Sequence, residues 1–315
     1  MNQIYATAPG KIILFGEHAV VYGRPALAAP VNQVCARCQV ETGPAGQGIE
    51  IVAGDLDQRF NLGAAPANDP LALVVQQTLT TLAVPATPDL SIKITSTIPI
   101  ARGLGSGAAV STAIVKALAS YLQQPLAPQV VSNIVFEVEK IHHGAPSGID
   151  NTVVAFGQPI FFQRGQPIIR LKVHSPLTFV IGDTGVKSPT YKVVADLRAR
   201  RAGDVARYER YFDQIGAIAV QAREAIEQGR LADVGKYMTE NQAILSEIDV
   251  SSPDLNRLVE AALTAKALGA KLSGAGWGGN MIALARPEEA QTIAQALLRA
   301  GASHTLVTEV KPSTP

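Results

Sequence analysis

The spacing of apolar residues predicts a chain that begins with β-strands and continues with a mixture of helices and strands. In the first hundred residues, apolar and polar positions alternate, or short apolar runs lie between turn residues such as Pro85, as in β-strands. One stretch, at 69–83, has apolar residues at intervals of three and four and is predicted as a helix. The four predicted strands of this region are QIYATAPGKIILFG (3–16), ALAAPVNQVCARCQVE (26–41), GIEIVAG (48–54) and DLSIKITSTIP (89–99).

Helical periodicity dominates the rest of the chain, with strands in three places. Short strands broken by Gly157 and Gly165 are expected from residue 152 to 177, followed by a strand and turn at 179–185. Two strand-like segments, at 270–286 and 304–310, flank the last helix. The predicted helices lie at 106–123, at 127–143, at 191–248 with a break near Gly229, at 252–269 with Ser252 as N-cap, and at 287–301.

These elements predict an α+β protein with two domains. Strand and helix do not alternate regularly, so a doubly wound parallel sheet is not expected. A break in the pattern near residues 172–176 divides the chain into a predicted N-terminal domain, 1–175, and a predicted C-terminal domain, 176–315. Since 47% of the residues are hydrophobic, both halves have enough apolar surface to form a core.

The charge of the chain favours a small molecule over nucleic acid or a membrane as the partner. There are 27 basic and 26 acidic residues, so no excess of positive charge favours a polyanion. Charged residues such as Lys116 interrupt the long apolar stretches, and the first residues, MNQIYATAPGKIIL, lack the pattern of a secretory signal. A cytoplasmic location is therefore expected.

The two cysteines, Cys35 and Cys38, form a C-x-x-C pair. Such pairs occur in redox centres and in zinc sites, but a zinc ribbon needs a second pair, which the chain lacks. Because the predicted strand places the two on opposite faces, we expect reduced, structural cysteines.

The first candidate site is the glycine-rich stretch PIARGLGSGAAV (99–110), which directly precedes a predicted helix. Small residues let the backbone approach a ligand, and the N–H groups and dipole of a helix N-terminus attract anions. A tight turn without a ligand is the alternative. The Walker pattern with its lysine is absent, so positive charge for a phosphate must come from another segment or from a divalent metal.

A second candidate segment, APGKIILFGEHAVVYGRPAL (8–27), places three polar residues beside glycines in an apolar sequence. Lys11 follows a Pro-Gly turn at the start of a strand, and Glu17 and His18 lie in a turn bounded by glycines. A solvated lysine and a structural histidine are the alternatives. Three polar groups in this setting favour the wall of a binding pocket.

A third segment, FEVEKIHHGAPSGIDN (136–151), ends a predicted helix and then turns to Asp150. Two carboxylates can divide the work of phosphoryl transfer, since one holds Mg²⁺ while the other orients or deprotonates the attacking hydroxyl. Glu139 and Asp150 are the candidates for these roles. Glu137 and Lys140 are instead expected on a solvated helix face.

A fourth segment, KLSGAGWGGNMIAL (271–284), has four glycines between two apolar strands, at positions 274, 276, 278 and 279. Four glycines in six residues exceed the need of a hairpin and favour a loop whose backbone lies against a ligand. On its own, this segment would suit any anion.

These segments, in this order, resemble the motifs of the GHMP kinase superfamily of galactose, homoserine, mevalonate and phosphomevalonate kinases. The resemblance covers nearly the whole chain through PGKIILFGEH, P-x-x-x-GLGS-x-AA and KLSGAG-x-GGN. GKIILFGEHAVVYGRPAL, HGAPSGIDN and DTGVKSPT (183–190) are most similar to the mevalonate kinases. The fold this implies has an N-terminal ribosomal-protein-S5-like domain and a C-terminal ferredoxin-like domain, with the active site between them.

The resemblance also implies a reaction, in which ATP and Mg²⁺ serve to phosphorylate the C5 hydroxyl of mevalonate, and a protein that is often a homodimer. Asp150 would be the catalytic carboxylate, Lys11 the neighbouring cation and Glu139 the Mg²⁺ ligand. The residues implied on the mevalonate side are Glu17, His18, Ser147, Thr190 and Gly276. Those implied to bind the phosphates of ATP are Pro99, Arg102, Gly103, Leu104, Gly105, Ser106, Gly107 and Ala108.

Two positions depart from the family pattern. The family loop commonly reads GLGSSAA, with a serine hydroxyl on the metal, and Gly107 replaces that serine. Either Ser106 takes the metal role, or Mg²⁺ is held by Glu139, phosphate oxygens and water. Trp277 replaces a glycine of the last motif, where the indole would either narrow the pocket or pack away from it.

Two other functions stay open at this point. A related kinase would act on phosphomevalonate, on another hydroxyl of mevalonate or on homoserine; a phosphorylated substrate needs extra basic residues, for which Arg24 and Arg102 are the candidates. A catalytically silent ligand sensor is the alternative outside enzymes. Such proteins usually lose the base or the lysine, whereas Lys11, Glu139 and Asp150 are all present.

Overall fold

The chain folds into two compact units, each built from several stretches of sequence. The computed structural model describes residues 3–85, 87–99, 102–143 and 146–313. Ile100 and Ala101 of the predicted phosphate loop lie outside the described residues. The predicted domain boundary between residues 175 and 176 stays a prediction. Unit 1 consists of Met1–Gly10, Asn32–Pro99 and Gly105–Gly157, and unit 2 of Lys11–Val31, Ile100–Leu104 and Gln158–Pro315.

Unit 1 contains a sheet of parallel and antiparallel strands, in one of which alternate residues are buried as the sequence pattern predicts. Its strands are β3 (Ile49–Ala53), β4 (Gln58–Asn61), β5 (Leu90–Ser96) and parts of two long strands that continue into unit 2, β1 (Gln3–Phe15) up to residue 10 and β2 (Ala26–Thr42) from residue 32. The order is β4-β3-β5-β2, and β1 also pairs with β2. β3 and β5 are parallel, whereas β4 with β3 and β2 with β5 are antiparallel. Ile49 and Ile51 of β3 are both buried, which confirms the period of two.

Four helices complete unit 1 and pack on one another. They are α1 (Pro70–Thr81), α2 (Ser106–Tyr121), α3 (Pro128–His143) and α4 (Ile149–Phe156). Asp69 caps α1 by accepting a hydrogen bond from the Ala72 N–H at 2.9 Å. The first three helices confirm the predicted ones, and α2 begins directly after the glycines of the phosphate loop.

The helix α4 differs from the prediction, which places short strands from residue 152. Thr152, Val153 and Val154 are β-branched, and such residues favour strands when their neighbours are ignored. In the structure all three are buried in a helix that packs on α2 and α3. Gly148, at φ 91°, supplies the left-handed residue from which this helix starts. Burial against other helices thus overrides the local strand propensity.

Unit 2 contains an antiparallel four-stranded sheet with the predicted ferredoxin-like connection. The strand order is β11-β8-β10-β9, with helices between β8 and β9 and between β10 and β11. Every residue of β8, β9 and β10 is buried, so these strands are covered on both faces. The strands of unit 2 are β6 (Ile160–Phe162), β7 (Ile169–Arg170), β8 (Leu177–Asp183), β9 (Gly269–Ser273), β10 (Asn280–Ala285) and β11 (His304–Val310).

The helices of unit 2 cover this sheet and bury its main apolar cluster, which includes Phe212, Leu245 and Leu272. The predicted helical run from residue 191 breaks near Gly229 and also at Asp204, whose side chain caps the next helix. Ser252 is an N-cap as predicted, accepting from the Leu255 N–H at 3.3 Å. The helices are α5 (Thr190–Gly203), α6 (Val205–Glu227), α7 (Leu231–Glu247), α8 (Pro253–Thr264) and α9 (Ala290–Arg299).

Two further features of the described chain are its cysteines and the length of its helices. Cys35 and Cys38 are free thiols, the second of them buried. Burial raises the pKa of the Cys38 thiol to about 12, so this thiol is unreactive at neutral pH. Among the described residues, none of the helices combines the length and the apolar character needed to cross a bilayer.

Candidate active site

The predicted phosphate loop leads into the N-terminus of α2 in unit 1. Gly105 precedes the helix at φ 74°, a left-handed conformation that glycine adopts at little cost. Ser106 is the first helical residue, and Gly107 follows it on the exposed side. The first N–H groups of any helix lack partners within the helix, so this turn has the geometry of an anion site.

Glu139 of α3 lies beside this turn. A Cβ atom at position 107 would be 3.3 Å from Glu139 Oε1, so the carboxylate oxygen faces the backbone of Gly107. Ser106 and Glu139 are the two residues predicted from the sequence to offer oxygen atoms to a cation here. Glu137 and Lys140, on the same helix, are exposed and paired at 2.7 Å, which confirms the solvated face predicted for them.

Asp150 lies in the first turn of α4, where the helix N-terminus favours a carboxylate. The next residue, Asn151, is buried, and its Nδ2 donates to the Ser132 carbonyl oxygen at 3.0 Å and to Ser132 Oγ at 2.9 Å. Ser147 Oγ accepts from the Ile149 N–H at 3.4 Å. Because these bonds fix the start of α4 on α3, the backbone that carries Asp150 is held in one place.

In unit 2, Lys11 is buried in β1 and contacts the phosphate loop through its backbone. The side chain and backbone together are 3% exposed, and the Lys11 N–H donates to the Leu104 carbonyl oxygen at 2.9 Å. Arg102 Nη1 lies 3.5 Å from Asp183 Oδ1 at the end of β8. Asn280 Nδ2 donates to the Arg102 carbonyl oxygen at 2.5 Å. This half of the loop is therefore attached to β1 and to the sheet of unit 2.

Glu17 is buried against a lysine that was not predicted as a site residue. Lys271 of β9 is fully buried, and its Nζ donates to Glu17 Oε1 and, at 2.6 Å, to the Leu272 carbonyl oxygen. Glu17 Oε2 is buried and has no hydrogen-bond partner in the described part of the chain. Burial raises the pKa of Glu17 and lowers that of Lys271, while their mutual attraction opposes both shifts. The sequence marks Lys271 only by placing a single charged residue inside the apolar run ALGAKLS.

His18 follows Glu17 in a left-handed conformation, φ 61°, that few residues other than glycine adopt. Its Nε2 lies 2.8 Å from the Ala275 carbonyl oxygen. Burial lowers the pKa of His18 to about 4 against the effect of this hydrogen bond, and the charges of Arg200 and Lys271 lower it further. The imidazole is therefore neutral at pH 7. Since a carbonyl oxygen only accepts, Nε2 carries the proton and Nδ1 is left as an acceptor.

The glycine loop, residues 274–279, has two kinds of glycine. A side chain on Gly276 would collide with the Val250 carbonyl oxygen, so the packing of the protein itself requires glycine there. Ser188 Oγ donates to the Gly276 carbonyl oxygen at 2.7 Å and fixes the same residue from another side. At Gly274, by contrast, no described atom lies within 4 Å of where a Cβ atom would be. Gly274 is thus the position at which a ligand has room to approach the backbone.

Trp277 anchors the glycine loop to the connection between α7 and α8. Its N–H donates to the Val250 carbonyl oxygen at 2.9 Å, and its indole Nε1 donates to the Asp249 carbonyl oxygen at 2.8 Å. The ring is partly buried and packs against the apolar cluster of unit 2. The residue has φ 55°, a conformation that normally favours glycine. These contacts therefore offset the free-energy cost of the left-handed backbone.

Each unit holds one group of the predicted site residues. Thr190 is exposed as the first residue of α5, and Pro99 is exposed before the loop. Polar residues near these groups that were not predicted are Ser132, Asn151, Asp183, Ser188, Lys271, Ser273 and Asn280. The predicted residues in unit 1 are Pro99, Gly105, Ser106, Gly107, Ala108, Glu139, Ser147 and Asp150, and those in unit 2 are Lys11, Glu17, His18, Arg102, Gly103, Leu104, Thr190 and Gly276.

Comparisons with known proteins match nearly the whole chain. The family model of the GHMP kinases N terminal domain matches residues 71–158, and that of the GHMP kinases C terminal region matches residues 222–303. A mevalonate kinase from Thermococcus gammatolerans is 35% identical, covering 98% of this chain and 96% of that protein. One from Pyrococcus abyssi is 34% identical, covering 95% and 93%.

A solved structure gives the same result for the fold. The crystal structure of L. major mevalonate kinase in complex with R-mevalonate has a TM-score of 0.85 and 30% sequence identity, covering 100% of this chain and 97% of that chain. The sequence and the fold therefore agree on one family, and the fold predicted from the sequence is confirmed.

Proposed function

The chain belongs to the mevalonate kinase family of the GHMP kinases, and on this premise we propose that it transfers the γ-phosphoryl group of ATP to the C5 hydroxyl of mevalonate. The bond between the β,γ-bridging oxygen and the γ-phosphorus breaks, and a bond from the C5 oxygen to that phosphorus forms. The products are ADP and 5-phosphomevalonate, an intermediate of isoprenoid biosynthesis.

The observation that carries this proposal is the position of Glu139 beside Gly107 at the start of α2. A helix N-terminus binds phosphate oxygens through its N–H groups, and a carboxylate at the same point would repel them unless a cation lay between. The pairing of these two features supports a nucleotide phosphate bound together with a divalent metal. The residues proposed to surround the phosphates are those from Arg102 to Ala108, with Pro99 ahead of them.

The donor atoms at this point fit Mg²⁺. The metal prefers hard oxygen ligands and keeps several waters, so one carboxylate and one hydroxyl are enough when phosphate oxygens complete the shell. In the described part of the chain no group of three or more His, Cys, Asp and Glu side chains converges, in line with such a site. Glu139 and Ser106 would hold the ion. When bound, it neutralises charge on the β- and γ-phosphates.

Asp150 is the proposed acceptor of the C5 hydroxyl proton. Removing this proton as the oxygen attacks the γ-phosphorus makes the alcohol a better nucleophile. The bonds that fix α4 on α3 keep the carboxylate oriented, which is the positioning that phosphoryl transfer chiefly requires. Lys11 is the proposed cation that stabilises negative charge on the reacting oxygens and so supplies the charge missing from the loop.

The mevalonate side of the site is proposed to lie along Glu17, His18, Ser147, Thr190 and Gly276. Glu17 Oε2 and the neutral His18 Nδ1 are both hydrogen-bond acceptors, and acceptors suit the hydroxyl groups of the substrate. The carboxylate of mevalonate needs hydrogen-bond donors, and neither Glu17 Oε2 nor His18 Nδ1 is a donor. These two residues are therefore proposed to bind alcohol oxygens rather than the acid end of mevalonate.

The two arginines considered for a phosphorylated substrate are both engaged by carboxylates. Arg24 Nη2 contacts Glu209 Oε2 at 2.5 Å and Asp213 Oδ1 at 2.8 Å. Arg102 lies near Asp183, as described above. This supports an acceptor alcohol without a phosphate group over phosphomevalonate. A cytoplasmic location and a homodimeric state stay predictions from the sequence.

A coupled assay of ADP formation with four acceptors tests the proposed substrate. Mevalonate, phosphomevalonate, homoserine and galactose are offered at equal concentration with ATP and Mg²⁺. We expect kcat/KM for mevalonate to exceed the other three by about 100-fold or more, as specific hydrogen-bonding sites achieve. Turnover with homoserine or galactose but not with mevalonate would contradict the substrate while leaving the kinase class intact.

A further inference from the structure

The ion pair between Lys271 and Glu17 is unusual because both side chains are inaccessible to solvent, at 0% and 1% exposure. Lysine is almost never fully buried without a partner. Removing two ions from water costs free energy that their attraction often fails to recover, and apolar replacements of buried pairs are frequently neutral or stabilising. Stability alone therefore does not explain why this pair is present.

The pair lies between two neutral contacts that join the same two segments of unit 2. Before it in β1, Ser273 Oγ accepts from the Ile13 N–H and donates to the Ile13 carbonyl oxygen, both at 3.0 Å. After it, His18 Nε2 donates to the Ala275 carbonyl oxygen at 2.8 Å. The three contacts fasten the end of β1 and the turn that follows it to the end of β9 and the glycine loop.

Lys271 donates a hydrogen bond to one carboxylate oxygen of Glu17 and none to the other. Nζ is bonded to Oε1 and to the Leu272 carbonyl oxygen, which sets the rotation of the carboxylate. Oε2 is buried and has no hydrogen-bond partner among the described residues. An unmet buried acceptor is costly, so this oxygen is suited to a donor that a ligand brings.

We propose that Lys271 is a positioning residue for the acceptor alcohol: it holds Glu17 so that Oε2 accepts a substrate hydroxyl, and it locks the Glu17–His18 turn to the glycine loop. Lys271 itself is assigned no contact with the substrate, because its Nζ donates to Glu17 and to the Leu272 carbonyl oxygen. The proposal rests on the proposed function only for the identity of the alcohol. The link between the turn and the loop is independent of it.

The first test compares Lys271→Met, Lys271→Met/Glu17→Gln and the wild type over about pH 6 to about pH 9. In Lys271→Met the Glu17 carboxylate stays buried without its main cation, with Lys11 the remaining positive charge acting on it and Arg200 and His18 nearby. Its protonated form is tolerated, so we expect kcat/KM for mevalonate to fall about 100-fold at high pH and less at low pH. KM for ATP should change by less than about threefold.

The double variant removes the buried charge, so its pH profile should return to the wild-type shape. Its kcat/KM should stay about tenfold low, because the methionine side chain cannot hold the amide in place. It also keeps the test decisive if Lys271→Met fails to fold. Wild-type kcat/KM in the double variant, or an equal loss at every pH in the single variant, would overturn the proposal.

The second test needs no substrate, since Trp277 is the single tryptophan of the chain and lies in the glycine loop. We expect Lys271→Met to raise the acrylamide quenching constant of Trp277 about twofold as the loop loosens. Lys236→Met, which removes an exposed lysine of α7, is the matched control and should leave it unchanged. Unchanged quenching in Lys271→Met would overturn the proposed link. If the quenching rises but the wild type does not phosphorylate mevalonate, the proposed function fails and the link stands.

Discussion

At position 150, replacing the carboxylate by a methyl group removes the proposed proton acceptor without changing the phosphate loop. We expect Asp150→Ala to lower kcat about 1000-fold, the scale of a general base in a well-positioned site. The affinity for ATP, measured by titration calorimetry, should change less than about threefold. Glu137→Ala, which alters an exposed carboxylate of α3, is the control and should keep full activity. Substantial turnover by Asp150→Ala would show that another group accepts the proton.

At position 107, the missing serine makes a direct test of the metal site possible. A Cβ atom there would lie 3.3 Å from Glu139 Oε1, so Gly107→Ser places a hydroxyl beside the proposed ligand. We expect the Mg²⁺ concentration for half-maximal activity to fall about threefold, because a protein oxygen replaces a water. Gly107→Ala reproduces the backbone effect without the hydroxyl. The idea fails if the alanine variant lowers the Mg²⁺ requirement equally.

The buried imidazole of His18 makes stability depend on pH. Its pKa is about 4 in the folded state against 6.5 for an unperturbed histidine, so the unfolded state binds more protons between these values. The stability that neutral His18 contributes is fully present above about pH 6.5 and is lost as the pH falls towards 4. The loss reaches about 3 kcal/mol of the free energy of unfolding. In urea unfolding, His18→Gln should therefore lose less stability than the wild type across this window. His174→Gln, at an exposed position, should follow the wild type.

Among single residues, the sequence predicts candidates with chemical functions of their own and gives little sign of the residues proposed to position them. Lys11 and Asp150 are charged residues beside glycines or turns, which is a local signal, and Glu139 lies on the helix that precedes the turn to Asp150. Lys271 and Asn151 gain their importance from contacts with residues distant in the chain, and nothing beside them in the sequence shows those contacts. A charge within an apolar strand was the one hint for Lys271.

Among the helices, α4 is tied to α3 in part by Asn151, so the loss of this side chain should affect the neighbouring Asp150. We expect Asn151→Ala to lower the free energy of unfolding by about 2 kcal/mol, since two hydrogen bonds to Ser132 are lost. It should also lower kcat about tenfold with little change in KM for ATP. Asn133→Ala, at an exposed position of α3, is the control. A loss of stability without a loss of kcat would separate α4 from catalysis.

Elements whose apolar residues recur at a regular interval could be predicted from the sequence. Elements whose conformation depends on burial against distant parts of the chain could not. The alternation in β3 and the three-and-four spacing in α1 survive in the structure because one face of each is buried. The short strand β4, QRFN, has too few apolar residues to give a pattern. The helix α4 contains β-branched residues whose burial on other helices, invisible locally, decides their conformation.

For the molecule as a whole, the fold was predicted from the order of three motifs rather than from any single element. The contacts that bring the motifs of unit 2 together span most of the chain, with sequence separations of 254 for Glu17 and Lys271 and 260 for Ile13 and Ser273. Such pairs follow from the topology of the sheet and leave no local pattern. The resemblance to a family supplied that topology, which spacing and composition do not contain.

The proposed reaction of this kinase is phosphorylation of the C5 hydroxyl of mevalonate. The most direct measurement is ³¹P and ¹³C NMR of the product formed from (R)-mevalonate, ATP and Mg²⁺, with ADP quantified in the same reaction. We expect one ADP for each mevalonate consumed and coupling between phosphorus and carbon 5. A phosphate on the C3 oxygen, or no consumption of mevalonate under conditions where another alcohol reacts, would contradict the claim.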